Sequence, residues 1–251
     1  MSKIALITGA SSGIGAATAR ALAKASYRLI LCGRRAERLN ELAKELSGIT
    51  ETTTLLFDVR KSKDVFEQIG SLSDRWRAID VLVNSAGNAH GLATFQEGNI
   101  DDWDAMIDGN VKGLLYVSRA VVPGMVERKR GHIVNLSSVA GKYTYPGGLV
   151  YCASKKAVEA ISEGMRLDLT QHGIRVTNVA PGAVETEFSI VLFKGDTERA
   201  KKTYEGYTPL YAEDIASAIA YAVTAPAHVN LTDMLIYPSA QAAPGMIYKK
   251  G

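Results

Sequence analysis

Short apolar runs alternate along this chain with longer segments in which apolar side chains recur every three to four positions, a pattern of strands separated by amphipathic helices. The runs at 4–8, 29–32, 54–57, 81–84, 132–136, 175–179 and 234–237 read as strands. The interior ones lack strict alternation, as strands buried on both faces do. Helical periodicity covers 14–25, 36–46, 63–74, 100–128, 153–172 and 212–225, so each helix can carry the chain from one strand to the next. Right-handed crossovers then predict an α/β fold: a doubly wound parallel sheet of about seven strands, helices on both faces, and a ligand crevice at the carboxyl ends of the strands. One stretch breaks the rhythm. Residues 185–209 are charged and interrupted by Gly, with a short helical pattern at their centre, and are expected to form a lid over the crevice edge.

Composition narrows the class. A chain of 251 residues, 47% hydrophobic and 22% charged, is enough for one sizeable core and predicts one domain over 1–251. The net charge of +3 is small and spread evenly, which argues against nucleic acid and anionic membranes as partners. The chain starts Met1-Ser2-Lys3 and enters the first strand directly, and no run of about 18 apolar residues follows, so neither export nor membrane insertion is expected. Cys32 and Cys152 are the two cysteines, and a reducing cytoplasm suits them best. No His, Cys and carboxylate group has metal-ligand spacing, so no metal is expected. Trp76 and Trp103 read as packing anchors, and His172 before Gly173 as a helix end.

The first strand runs into Thr8-Gly9-Ala10-Ser11-Ser12-Gly13-Ile14-Gly15 and then a helix. That context suits either a tight turn or a dinucleotide pyrophosphate held against a helix N-terminus, with glycines allowing close backbone approach. Arg34 lies 19 positions past Gly15, where an NAD-binding chain carries an acidic residue for the ribose hydroxyls. Arg34 and Arg35 would instead clamp a 2′-phosphate, which favours NADP(H). Asp58-Val59 after the third strand either takes an adenine amino group or caps the next helix. Asn84-Ser85-Ala86-Gly87 after the fourth can pass close under a cofactor. Tyr151 and Lys155 are four apart and share a helix face, so the ammonium is expected to lower the phenol pKa and make it an acid/base near neutrality.

Together with Ser138 at the end of the fifth strand and Pro181-Gly182 after the sixth, these motifs resemble the short-chain dehydrogenase/reductase family over essentially the whole chain. The resemblance implies a Rossmann-type fold and a catalytic set of Asn110, Ser138, Tyr151 and Lys155. It implies that NADP(H) contacts Gly9, Ser11, Ser12, Gly13, Ile14, Gly15, Arg34, Arg35, Asp58, Val59, Asn84, Ala86, Gly87, Tyr151, Lys155, Pro181, Gly182, Val184 and Thr186. It also implies a homotetramer. Asp102-Trp103, the segment 123–128, Tyr145 to Gly148, Thr186 to Ser189 and Pro226 to Val229 are similar to the NADP-dependent 3-hydroxy acid dehydrogenases of that family. Leu192 stands where that group commonly has an arginine for a substrate carboxylate. The substrate side is therefore assigned to Ser138, Tyr151, Phe188 and Leu192, with His90 or Lys142 as the replacement cation. The expected reaction interconverts a small hydroxy compound, first of all a 3-hydroxy acid, and its carbonyl form. A sulfonated or neutral small carbonyl is the alternative substrate, and a non-catalytic NADP sensor the rival reading.

Overall fold

The computed structural model describes residues 2–249, and among them seven parallel strands form one sheet. They are β1 (Ile4–Thr8), β2 (Arg28–Gly33), β3 (Thr52–Leu56), β4 (Ile79–Asn84), β5 (Gly131–Leu136), β6 (Ile174–Pro181) and β7 (Asp233–Ile236). Their spatial order is β3-β2-β1-β4-β5-β6-β7. From β1 the chain winds outward through β2 and β3, then returns to β4 and winds the other way. The loops after β1 and β4 therefore diverge, and the crevice opens between them.

The sheet is buried on both sides, so its central strands carry apolar residues on both faces. On one side the helices Gly13–Lys24, Ala36–Leu46 and Ala212–Thr224 pack Leu22, Leu39, Leu42, Ile215 and Ile219 onto Ala5, Ile7, Leu29 and Leu31. On the other, Ser62–Gly70 and Gly113–Glu127 bring Val65, Val117, Val121 and Met125 onto Leu6, Ile30, Leu82 and Ile133. Trp76 is buried in this second core with the Arg28 guanidinium 4.3 Å from the ring centroid. Cys32 and Cys152 are both buried and unpaired.

Two helices differ from the sequence expectation in ways that matter for the site. The helix expected over 100–128 is interrupted: Ile100–Ile107 passes into a π-turn at Asp108–Lys112 before Gly113–Glu127. The helix expected from residue 153 begins at Leu149, so Tyr151 lies within its first turn. The segment after β6 pairs Val184–Glu185 with Leu210–Tyr211 at its neck and holds the short helices Phe188–Leu192 and Thr197–Lys202 between them. Among the described residues no helix is long and apolar enough to cross a membrane, and no group of three or more His, Cys, Asp or Glu could hold a metal ion.

Candidate active site

The turn after β1 is shaped by contacts that exclude side chains. Gly9 has φ of 67°, and a Cβ there would lie 3.0 Å from the Ala86 backbone. A Cβ on Gly15 would collide with the Gly9 carbonyl. The Thr8 hydroxyl accepts the amides of Ser85 and Ala86, each at 3.1 Å, which ties the loop after β4 to the end of β1. The turn, Ala86 and the first helix N-terminus thus form a close-walled cradle with amides suited to phosphate. Ile14 packs onto the core beneath it.

Asn84, expected at the cofactor, bonds to the protein through its side-chain nitrogen. Its amide is buried and donates to Ser118 Oγ at 3.0 Å and Asn135 Oδ1 at 2.9 Å, while Asn135 donates to Ser162 Oγ at 2.9 Å. Asn84 is a rung between strands and helices through its amide nitrogen, while its buried Oδ1 has no hydrogen-bond partner among the described residues. Asp58 accepts the Arg60 backbone amide at 3.0 Å and its guanidinium, and Arg34 approaches it at 3.7 Å. Its carboxyl stays below the usual range because these partners outweigh its desolvation. Arg34 is 64% exposed at the crevice rim, whereas Arg35 lies across the turn and donates to Ser12 Oγ at 2.6 Å.

The four expected catalytic residues converge beyond the cradle. The π-turn presents Asn110 inward, where its amide exchanges 2.8 Å hydrogen bonds with the Asn88 backbone and donates to Ser154 Oγ at 2.9 Å. A Cβ on Gly87 would lie 3.0 Å from Asn110 Oδ1 and 3.3 Å from Lys155 Nζ, so Gly87 is the point where these groups meet. Lys155 is buried and donates to the Leu136 carbonyl at 2.8 Å. Ser138 caps the short helix Val139–Lys142 by accepting the Ala140 amide at 3.1 Å, and its hydroxyl is 3.5 Å from the Pro181 carbonyl. Gly182 follows, its amide bonded to the Ile236 carbonyl at 2.7 Å. Asn88 and Ser154 are the supporting residues that sequence reasoning missed; Ser154 stood inside the Tyr151-to-Lys155 motif.

The expected depression of the Tyr151 pKa is also corrected. Burial pushes the phenol up to about 12, against a lowering contribution from its hydrogen bond with Ser138. Burial brings Lys155 down to about 8. The ammonium lies 5.9 Å from the phenol ring centroid and points to a carbonyl, so desolvation outweighs its attraction for a phenolate.

The segment after β6 packs against these residues. Phe188 meets the Tyr151 ring with centroids 5.6 Å apart, the Thr186 side chain abuts the position of a Cβ on Gly13 at 3.5 Å, and the Val184 carbonyl accepts the Tyr204 hydroxyl at 2.8 Å. The Leu192 carbonyl accepts the Gly91 amide at 2.9 Å. His90, Asp102, Trp103, Met106, Gly147 and Tyr151 line one small crevice. Burial lowers the His90 pKa, opposed by Asp102, so the ring favours its neutral form. Lys142 is placed elsewhere: it pairs with Asp233 at 2.6 Å and Glu159 at 3.2 Å, tying β7 to the Leu149–Leu169 helix. Its charge is spent on that tie, so it is not a free substrate cation. A cation near His90 is Lys194, paired with Asp102 at 2.7 Å, which the sequence analysis does not single out.

A short chain dehydrogenase profile matches residues 3–196. The NADP-dependent 3-hydroxy acid dehydrogenase of Salmonella typhi is 47% identical over 244 residues, covering 97% of this chain and 98% of that protein. Sulfoacetaldehyde reductase 2 of Chromohalobacter salexigens is 48% identical over 243 residues, 96% of each chain. Among solved structures, the closed form of serine dehydrogenase complexed with NADP+ superposes with a TM-score of 0.92 at 42% identity, covering 99% of this chain and 100% of that one.

Proposed function

The chain belongs to the short-chain dehydrogenase family, and from that premise we propose that it interconverts a small hydroxy compound bearing an acidic group, first of all a 3-hydroxy acid, and its carbonyl form with NADP(H). The observation that carries this reading is the convergence of Asn110, Ser138, Tyr151 and Lys155 beside a cradle whose glycines a Cβ would fill. The residues fit a dinucleotide: Gly9 to Gly15 would hold its pyrophosphate, Arg34 and Arg35 its 2′-phosphate, and Lys155 and Thr186 its nicotinamide end. When bound, NADP(H) supplies or accepts the hydride.

The protein's own part is the proton. Ser138 orients the substrate oxygen beside the phenol. With its pKa near 12, Tyr151 is protonated at neutral pH, the form that gives a proton to a carbonyl oxygen during reduction. Oxidation requires the rarer phenolate. Lys155, at about 8, exchanges protons in the working range, and Asn110 fixes the backbone next to it. Phe188 and the surrounding insert act as a lid that keeps water from the phenol.

The acidic group is a carboxylate in the first reading. A sulfonate is the second, supported by the 48% identical sulfoacetaldehyde reductase. Leu192 offers no charge to either; His90 and Asp102 line the crevice, and Lys194 reaches its edge through its ion pair with Asp102. NADPH oxidation across malonic semialdehyde, sulfoacetaldehyde and an uncharged aldehyde of similar size tests the assignment. Turnover of the acids ahead of the uncharged aldehyde supports it, and equal turnover of all three contradicts an anionic substrate. The homotetramer is proposed on family grounds, with exposed Leu115 and Leu167 on the long helices as support, and light scattering tests it. Unpaired Cys32 and Cys152 support a reducing, cytoplasmic setting.

A further inference from the structure

Arg35 reaches across the first turn and donates to Ser12 Oγ at 2.6 Å, Ser11 Oγ at 3.2 Å and the Ser11 carbonyl at 3.3 Å. Its remaining nitrogen holds the Glu187 carboxylate at 2.9 Å, and Arg38 donates to the other oxygen of the same carboxylate. The two guanidiniums keep the Glu187 carboxyl below its usual range despite the opposing effect of partial burial. Glu187 belongs to the inserted segment, 152 positions from Arg35. Its neighbour Thr186 lies on the Gly13 turn, and its neighbour Phe188 lies on the Tyr151 ring. A carboxylate from the lid thus occupies arginines beside the nucleotide cradle, and the next residue covers the catalytic phenol.

We propose that Glu187 is an internal competitor for the cofactor's 2′-phosphate, which takes Arg35 and Arg38 from it and so releases the start of the lid from the first turn. The inference rests on the NADP(H) reading above. A phosphate with about two charges and three free oxygens matches a pair of guanidiniums better than one carboxylate does. Arg35, Arg38 and Glu187 are all about 40% to 50% exposed (42%, 47% and 39%), so solvent and salt weaken the tie and a dianion can replace it. The linkage then runs in both directions: phosphate binding loosens the lid, and a lid pinned at Glu187 weakens phosphate binding. Lys194 paired with Asp102 and the Leu192 carbonyl bonded to Gly91 keep the far end of the segment in place, so release is confined to its start.

Calorimetric titration of wild type and Glu187→Gln with 2′,5′-ADP and 5′-AMP isolates this effect, because neither probe reaches the nicotinamide end. The expected result is 2′,5′-ADP bound about fivefold more tightly by Glu187→Gln than by wild type, with 5′-AMP changed less than about twofold. Hydrogen exchange at residues 186–189 of wild type is expected to quicken on adding 2′,5′-ADP. Unchanged or weaker 2′,5′-ADP binding in the variant, or protection of 186–189 in wild type, overturns the inference. A wild type that binds 2′,5′-ADP no better than 5′-AMP defeats the NADP(H) reading and this inference with it. A wild type that prefers 2′,5′-ADP, with no gain in Glu187→Gln, defeats the competitor role alone.

Discussion

The wall of the crevice formed by the turn after β1 is held by backbone, with the Gly9 carbonyl where a Gly15 side chain would stand and the Thr8 hydroxyl fastening Ser85 and Ala86. The wall opposite is the insert, held by partly exposed charges: Glu187 on Arg35 and Arg38, and Lys194 on Asp102. Steric exclusion does not weaken with salt, whereas exposed ion pairs do and are worth about 1 kcal/mol or less. One wall therefore fixes where a nucleotide can lie, and the other can part from it. The Tyr151 phenol, the proposed acid/base, lies between them, on a helix packed to the sheet but covered by Phe188 from the insert.

The largest effect should come from breaking the rigid wall. Gly15→Ala forces a Cβ against the Gly9 carbonyl and should abolish measurable NADPH binding, with a stability loss of about 1 to 3 kcal/mol read by urea unfolding. Near-normal NADPH affinity in that variant would show that the cradle tolerates displacement. At the rim of the same wall, Arg34→Asp should invert the cofactor preference, measured as the ratio of NADPH to NADH binding constants. A ratio unchanged by the substitution would move the 2′-phosphate site elsewhere.

The phenol gives a pH signature. With Tyr151 near 12, kcat/KM for oxidation should climb by up to about tenfold per pH unit between 6 and 8, while reduction stays nearly flat because the acid is already protonated. The sign follows from the upward shift: oxidation needs the deprotonated form, and its population grows as pH approaches the raised pKa. A flat oxidative profile over that range would place the working pKa well below the one burial gives. The smallest effect is expected at Lys142, whose partners are Asp233 and Glu159. Lys142→Ala should lower stability by about 1 kcal/mol and leave the preference for acidic over uncharged aldehydes unchanged; a selective loss of the acids would return it to the substrate pocket.

The strands and the glycine turn were legible in the sequence because both depend on local rules: apolar runs for strands buried on two faces, and glycine where backbone approaches backbone. What escaped depends on partners far along the chain. Lys142 read as a loop cation near Ser138 because Asp233, 91 positions later, is invisible to spacing. The π-turn at Asp108–Lys112 escaped because the periodicity of 100–128 is helical throughout; the interruption shows itself only through the bonds of Asn110 to the Asn88 backbone. The Tyr151 pKa was expected to fall because a four-residue spacing shows that Lys155 is near, but not that both groups are desolvated. Glu187 lies in the Thr186-to-Ser189 motif, yet its pairing with Arg35 needs two walls brought together by the fold.

The central claim is that Tyr151 moves the proton while the rigid wall binds the nucleotide independently of it. Tyr151→Phe, assayed by NADPH oxidation with malonic semialdehyde alongside calorimetric NADPH binding, tests both parts in one variant. The account predicts turnover reduced more than about a hundredfold with NADPH affinity within about twofold of wild type. Turnover within about threefold of wild type would contradict it.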